Sequence, residues 1–278
     1  MNFVSLLVGR PSKAALYSLS SIVQLKPVQV CIMVDERGSE WLSENFDTSS
    51  NFCLHRIPPS FYIDSLTKSS DSLFERYGTR QFSIITNLKF VILLEVFKLH
   101  NEIDKVVFSD LDIFWKSFPR ELCGSNTTKE ILTQGEKTRY GSKRSCTGVI
   151  YLAQEGLDII AKVCAYQKEA IRQGDFIHDE RAFNRFVSNS DDRERIGLFS
   201  DESVVLGPKI WTTLRKWDQM DAYHANYMKI EHKVHALAYC QFRVKGKALW
   251  IYKFLLVNLI LIKNRFQNRI SRFIFPVV

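Results

Sequence analysis

The chain has 278 residues, 46% of them hydrophobic, and a mean hydropathy of -0.11: enough apolar mass for one large core, and too much for a disordered chain. Its formal charge of +8 resides at the end, because eight of the 38 basic residues follow position 242 with no acid among them, leaving 30 basic against 30 acidic residues before it. No recognisable nucleic-acid-binding motif accompanies this charge, which argues against a nucleic-acid partner, and six cysteines without a C-x-x-C pair or zinc-like spacing predict reduced, cytosolic thiols.

In chain order, Phe3 to Val8 reads as a strand, since it lacks the basic flank and long apolar core of a secretory leader. Gly9-Arg10-Pro11 then turns the chain, and Ser12 caps a helix reaching about Leu25. Val28 to Val34 is a second strand ending at Asp35, and strand, helix, strand at this spacing opens a parallel α/β sheet. Phe52 to Ile57 is a third, short strand closed by Pro58-Pro59, and the polar, serine-rich Asp64 to Ser72 reads as a surface loop. Phe82 to Leu99 forms a helix whose apolar residues cover most of its circumference, so it is buried on several sides. Lys89 lies within it. Either its ammonium snorkels to the surface, or it is aimed at a site that binds an anion.

Lys105-Val106-Val107-Phe108-Ser109 is a short run of the kind that forms a buried strand, and it ends in Asp110-Leu111-Asp112. In extended backbone Asp110 and Asp112 would face one way while Leu111 turned back into the protein. Two unit charges at ~4 Å cost about 4 kcal/mol at an effective dielectric near 20, so a cation eases the arrangement. A divalent metal with oxygen ligands, Mg or Mn, would serve. The plain alternative is a loop with both acids in water. Further on, Thr147 to Leu152 is a strand entered through Ser145, Cys146, Thr147 and Gly148, small residues that let a ligand approach the backbone. Gln154 to Arg172 is a helix, and another starts at His178-Asp179-Glu180. The stretch around His224 to Tyr227 is less regular and reads as a loop, followed by a helix through about Ala238.

Residues 1–242 therefore form one domain and residues 243–278 a basic tail. Within the tail, Trp250 to Ile262 is apolar but too short to span a bilayer, which takes ~20 residues. Flanked by lysines and arginines, it suits a helix lying on an anionic membrane surface, or one packed on the domain. The expected location is cytoplasmic, at the cytoplasmic face of a membrane.

Together these pieces resemble the nucleotide-diphospho-sugar transferases, glycosyltransferases of the GT-A fold, over roughly residues 3 to 240. The resemblance implies a Rossmann-like, mainly parallel sheet flanked by helices. It implies that Val8 and Gly9 border the nucleotide, and that Asp110 and Asp112, with His224, hold a Mn or Mg ion on the donor's diphosphate. Lys89 and Lys233 would face phosphate oxygens, and Gly148 would lie against the donor. Asp179 and Glu180 match an acid-bearing helix start near the transferred sugar and are the candidate catalytic residues. A UDP-sugar is the expected donor, a saccharide or lipid-linked glycan the acceptor, and retention of anomeric configuration the expected outcome. The family's H-x-N with Gly and Lys is matched by His224, Asn226 and Lys233, but Ile230 replaces the glycine. Glu180 also departs, standing where an amide is common. Two other readings are open: a nucleotide-sugar-binding protein without turnover, and a D-x-D phosphatase. The phosphatase pattern wants its motif on the first strand, whereas about a hundred residues precede it here.

Overall fold

The computed structural model describes residues 1–46, 52–57, 80–123, 128–137, 143–201, 203–206, 219–225 and 230–246. The serine-rich segment Asp64 to Ser72, Pro58-Pro59, Asn226 and the tail from 247 onward lie outside them. Among the described residues no helix is long and apolar enough to cross a membrane.

The chain opens with β1 (Asn2–Leu7), α1 (Lys13–Gln24) and β2 (Gln29–Val34). As the sequence predicts, Ser12 caps α1, its side chain accepting from the Ala14 N–H. The helix α2 (Glu36–Asn45) follows directly, capped by the Asp35 side chain, which accepts from the Gly38 N–H. Next come β3 (Phe52–Arg56), α3 (Arg80–Leu99), β4 (Lys105–Ser109) and β5 (Ile113–Trp115). The second half holds β6 (Ile131–Lys137), β7 (Lys143–Ala153), α4 (Leu157–Arg172), α5 (Asp179–Ser188), β8 (Ile196–Leu198), β9 (Val204–Leu206), β10 (Ala222–His224) and α6 (Ile230–Val244).

Seven strands form one mixed sheet in the order β3-β2-β1-β4-β7-β6-β8. The strands β3, β2, β1 and β4 run parallel, whereas β7 is antiparallel to both β4 and β6. One sheet face packs beneath α3 and α4, with Val106, Phe108, Ile150 and Leu152 meeting Leu88, Phe90, Ile92 and Ile159. The α3 ring of Phe90 stacks on Phe183 of α5, with centroids 5.8 Å apart and planes 2° from parallel. The other face packs Phe3, Ile32 and Val107 against Leu19 and Ile22 of α1 and Trp115 of β5. Phe3 and Trp115 meet edge to face at 5.2 Å, a geometry favoured by the ring quadrupoles.

A smaller sheet, β5-β10-β9, has β10 antiparallel to β5 and parallel to β9. Its register sets His224 opposite Ile113, next to Asp112. This corrects the expected loop at His224: the imidazole is the last residue of a strand, too short for any periodicity to show. Beside it, Phe114 and Tyr223 pack with Leu237 and Tyr239 of α6, which places Lys233 over the same corner.

Candidate donor and metal site

Asp110 follows β4 and Asp112 precedes β5, so the two acids occupy the turn where the chain passes from the large sheet to the small one. They are not in extended backbone as the sequence predicts. A turn forms because the Asp110 N–H donates to Gly148 O at 2.8 Å and the Ala225 N–H donates to Asp112 O at 3.0 Å. The turn is braced from below. The Trp115 indole N–H donates to Ser109 Oγ at 2.9 Å, and that hydroxyl donates to Asp110 O at 3.1 Å. Leu111 packs partly against the core between them. Since β1 and β4 are parallel neighbours, Val8 and Gly9 leave the sheet at the same end as Asp110. Gly9 has φ of 72°, a conformation open to glycine at little cost.

A cavity of about 470 Å³ opens at this end. It is lined by Val8, Lys89, Asp110, Asp112, Gly148, Asp179, Glu180, His224 and Lys233, nine candidates drawn from positions far apart in the chain. Gly9 lies between the lining residues Val8 and Pro11 but is not itself part of the wall.

Each acid faces a cation. Lys89 Nζ stands 3.4 Å from Asp110, 2.6 Å from Asp179 and 3.1 Å from Thr147 O, so its three donors meet protein acceptors. It does not snorkel. Lys233 Nζ contacts Asp112 Oδ2. Burial pushes the Asp110 carboxyl up to about 6 despite the Lys89 ammonium. At Asp112 burial likewise resists ionisation, but Lys233 and His224 together overcome it and hold the carboxyl well below the usual range. Asp179 is buried too, and Lys89, with hydrogen bonds from His178 and Thr147, also keeps it far below that range. Glu180 moves the other way, raised by burial with Arg144 opposing; the Arg144 guanidinium lies 3.2 Å from it.

Asp110, Asp112 and His224 each offer one donor atom within 4.8 Å of the others. Gln134 Oε1 lies 2.7 Å from His224 Nδ1, and the Gln134 amide N–H₂ is directed at Val204 O. An amide oxygen only accepts, so Nδ1 carries a proton, and Nε2 faces the buried Asp112 Oδ1, 3.2 Å away. In the neutral imidazole Nε2 offers a lone pair there, and a carboxylate–carboxylate–imidazole set suits Mg or Mn.

Partners from distant parts of the chain hold this arrangement. Gln134 is a lone amide on β6, 90 residues from the histidine it orients. Asn184 pins the entry to β7, accepting from the Ser145 N–H at 2.9 Å and donating to Ser145 O at 2.7 Å. Arg144 bridges Glu136 and Glu180. Nothing local in the sequence marks Gln134 or Arg144, whereas Asn184 belongs to the acid-bearing helix start on which the family resemblance rests.

Solved structures with a similar fold are glycosyltransferases. The galactosyltransferase LgtC, in complex with donor and acceptor sugar analogues, superposes with a TM-score of 0.55 at 10% identity, covering 86% of this chain and 95% of that one. A glycosyltransferase involved in glycosylation of the major capsid of PBCV-1 gives 0.52 at 11% identity, with coverages of 85% and 98%. Mouse xyloside xylosyltransferase 1 gives 0.52 at 12% identity, with coverages of 82% and 98%. No curated protein sequence matches the chain. The sequence pattern of the nucleotide-diphospho-sugar transferases matches residues 46–237, well over half the chain, and the protein belongs to that family, an enzyme of the nucleotide-sugar glycosyltransferase class with the GT-A fold.

Proposed function

We propose that this enzyme uses a divalent cation to move a sugar from a UDP-sugar to a saccharide or lipid-linked acceptor, with retention of anomeric configuration. The observation that carries this reading is the convergence of Asp110, Asp112 and His224 in the cavity wall, each offering one donor atom within 4.8 Å of the others. Asp110, Asp112 and His224 would hold Mn or Mg. Bound there, the ion would stabilise the negative charge that grows on the diphosphate as the glycosidic C–O bond breaks.

The protein's own groups divide the remaining work. Lys233 brings a second positive charge to the diphosphate side, and Val8 with Gly9 forms the edge along which the nucleotide lies. Lys89 keeps Asp179 ionised, so Asp179 is a poor proton acceptor and instead favours positive charge developing at the anomeric carbon. Glu180 is tied to Arg144. The acceptor hydroxyl's proton would then pass to the departing phosphate, which supports retention over inversion.

A panel of sugar nucleotides with Mn or Mg, scored by release of free nucleotide, tests the reading. Expected are acceptor-stimulated release that chelation abolishes, loss of that release in Asp112→Asn, and a product whose anomeric configuration by NMR matches the donor. Asp112→Asn with unchanged metal-dependent transfer would remove the metal assignment. A product of opposite configuration would remove retention.

The basic, apolar tail supports a place at the cytoplasmic membrane surface, near a lipid-linked acceptor. Full-length protein should co-sediment with anionic liposomes and release them as salt rises; salt-independent partitioning, or none, counts against it.

A further inference from the structure

Cys31, His55 and His100 are separated by 24 and 45 positions, and no sequence pattern links them. The fold does. Cys31 lies on β2, Cys53 and His55 on β3, and His100 immediately after α3, ahead of β4. Cys31 and Cys53 are register partners across the parallel pair, with His55 two residues further along β3 on the side of Cys53. The turn after α3 closes over them.

The ligating atoms of Cys31, His55 and His100 all lie within 4.8 Å of one another. His55 Nε2 and His100 Nε2 are 3.0 Å apart, with their rings near perpendicular at 71°. Two imidazole nitrogens on one tetrahedral zinc, at about 2.0–2.1 Å each, would stand roughly 3.3 Å apart. His100 Nδ1 lies 3.4 Å from Glu102 Oε1. A carboxylate there holds the proton on Nδ1 and turns the Nε2 lone pair inward, the outer partner typical of metal-bound histidines. The Cys53 sulfur, on the register partner of Cys31, accepts from Gln29 Nε2 at 2.6 Å, so a second sulfur adjoins the cluster.

We propose that Cys31, His55 and His100 form a second metal site, separate from the carboxylate site, that takes zinc or another borderline divalent cation through one thiolate and two imidazoles. The two sites differ in chemistry: sulfur and nitrogen donors here suit zinc, whereas the oxygen-rich set at Asp110 suits Mg or Mn. They also differ in place, since His100 precedes β4 and Asp110 follows it. Cys31 would bind as a thiolate, its proton passing to solvent as the metal enters. A metal there would clamp β3 and the α3–β4 turn to β2.

The test uses the full chain, reduced and stripped by chelator, titrated with Co²⁺. Expected is a sulfur-to-cobalt charge-transfer band in the near ultraviolet, saturating at one equivalent and bleached by Zn²⁺. His55→Gln and His100→Gln should each abolish it while keeping the wild-type far-ultraviolet circular dichroism, and Asp112→Asn should leave it intact. Both histidines are partly exposed, so these variants keep the test decisive should Cys31→Ser, at a fully buried position, fail to fold. No charge-transfer band in the wild type, or one that survives in both histidine variants, overturns the proposal.

Discussion

Gly148 and His224 are fitted to each other: a Cβ at position 148 would lie 2.3 Å from His224 Cε1 and 3.0 Å from each ring nitrogen. The imidazole occupies the space that any side chain on β7 would claim, and this contact holds its Nε2 against Asp112. Gly148→Ala should therefore push the ring aside while leaving the fold intact. Metal affinity should fall by roughly 10–100-fold, the range found when the groups orienting a metal-bound histidine are lost. Calorimetric titration with Mn measures it, and an unchanged affinity would mean that His224 is not a ligand.

The Lys89 ammonium holds Asp110 and Asp179 together, and both Lys89 and Asp179 are nearly buried, with side chains 7% and 10% exposed. Lys89→Met removes the only cation that the described contacts give Asp179 apart from His178. Stranding a buried charge typically costs about 3–5 kcal/mol. Denaturant unfolding should show a loss of that order, and Asp179→Asn in the Lys89→Met background should recover much of it, since the two positions couple directly. Additive losses in the double variant would contradict the ion pair.

The first third of the fold was legible because its signals are local. The apolar run of β1, the Ser12 cap and the apolar run of β2 each declare themselves, and the observed ends fall within about a residue of the expected ones. The helix α2 was missed for an equally local reason: only Gly38, Trp41 and Leu42 of it are buried, and Asp35 reads as the end of a strand when it is also a cap. The strands β8, β9 and β10 have three residues each, too few for a period to appear. At the site, the D-x-D was visible because its acids are two positions apart. What orients the other groups was not, because Gln134, Arg144 and Thr147 act on His224, Glu180 and Asp179, partners that only tertiary folding brings near. The same holds for the thiol and two imidazoles at the sheet edge, whose donors come from three separate elements.

Asp35 performs two tasks with one carboxylate. Its Oδ1 accepts from the Gly38 N–H at 2.7 Å, capping α2, and from the Gly9 N–H at 2.9 Å, fixing the loop beside the cavity. Asp35→Ala should cost about 1–2 kcal/mol through the lost cap. If Gly9 borders the donor as proposed, it should also raise KM for the sugar nucleotide more than it lowers kcat, because that edge is away from the reacting bond. Thermal unfolding and donor saturation curves check the two effects separately; a fall in kcat alone would put Gly9 elsewhere.

Arg195 ties the end of the sheet together, reaching Glu130 of the β5–β6 connection, Asp158 of α4 and Asp192. The Asp158 carboxyl is depressed to about 2, chiefly by its hydrogen bond from Arg195. A depressed carboxylate pKa contributes stability above its unfolded value of about 3.9 and loses that contribution as pH falls through the folded value. Asp158 is half exposed, so water and salt reduce the effect to the small scale of surface pairs. Arg195→Gln should accordingly lower Tm at pH 5, and the gap from wild type should narrow as pH is taken from 4 toward 2, where protonated carboxyls no longer reward the guanidinium. Thermal scans of both proteins across that interval decide it. A gap of constant size would assign the contribution of Arg195 to its packing and its hydrogen bond to Glu155 O, which acid does not remove.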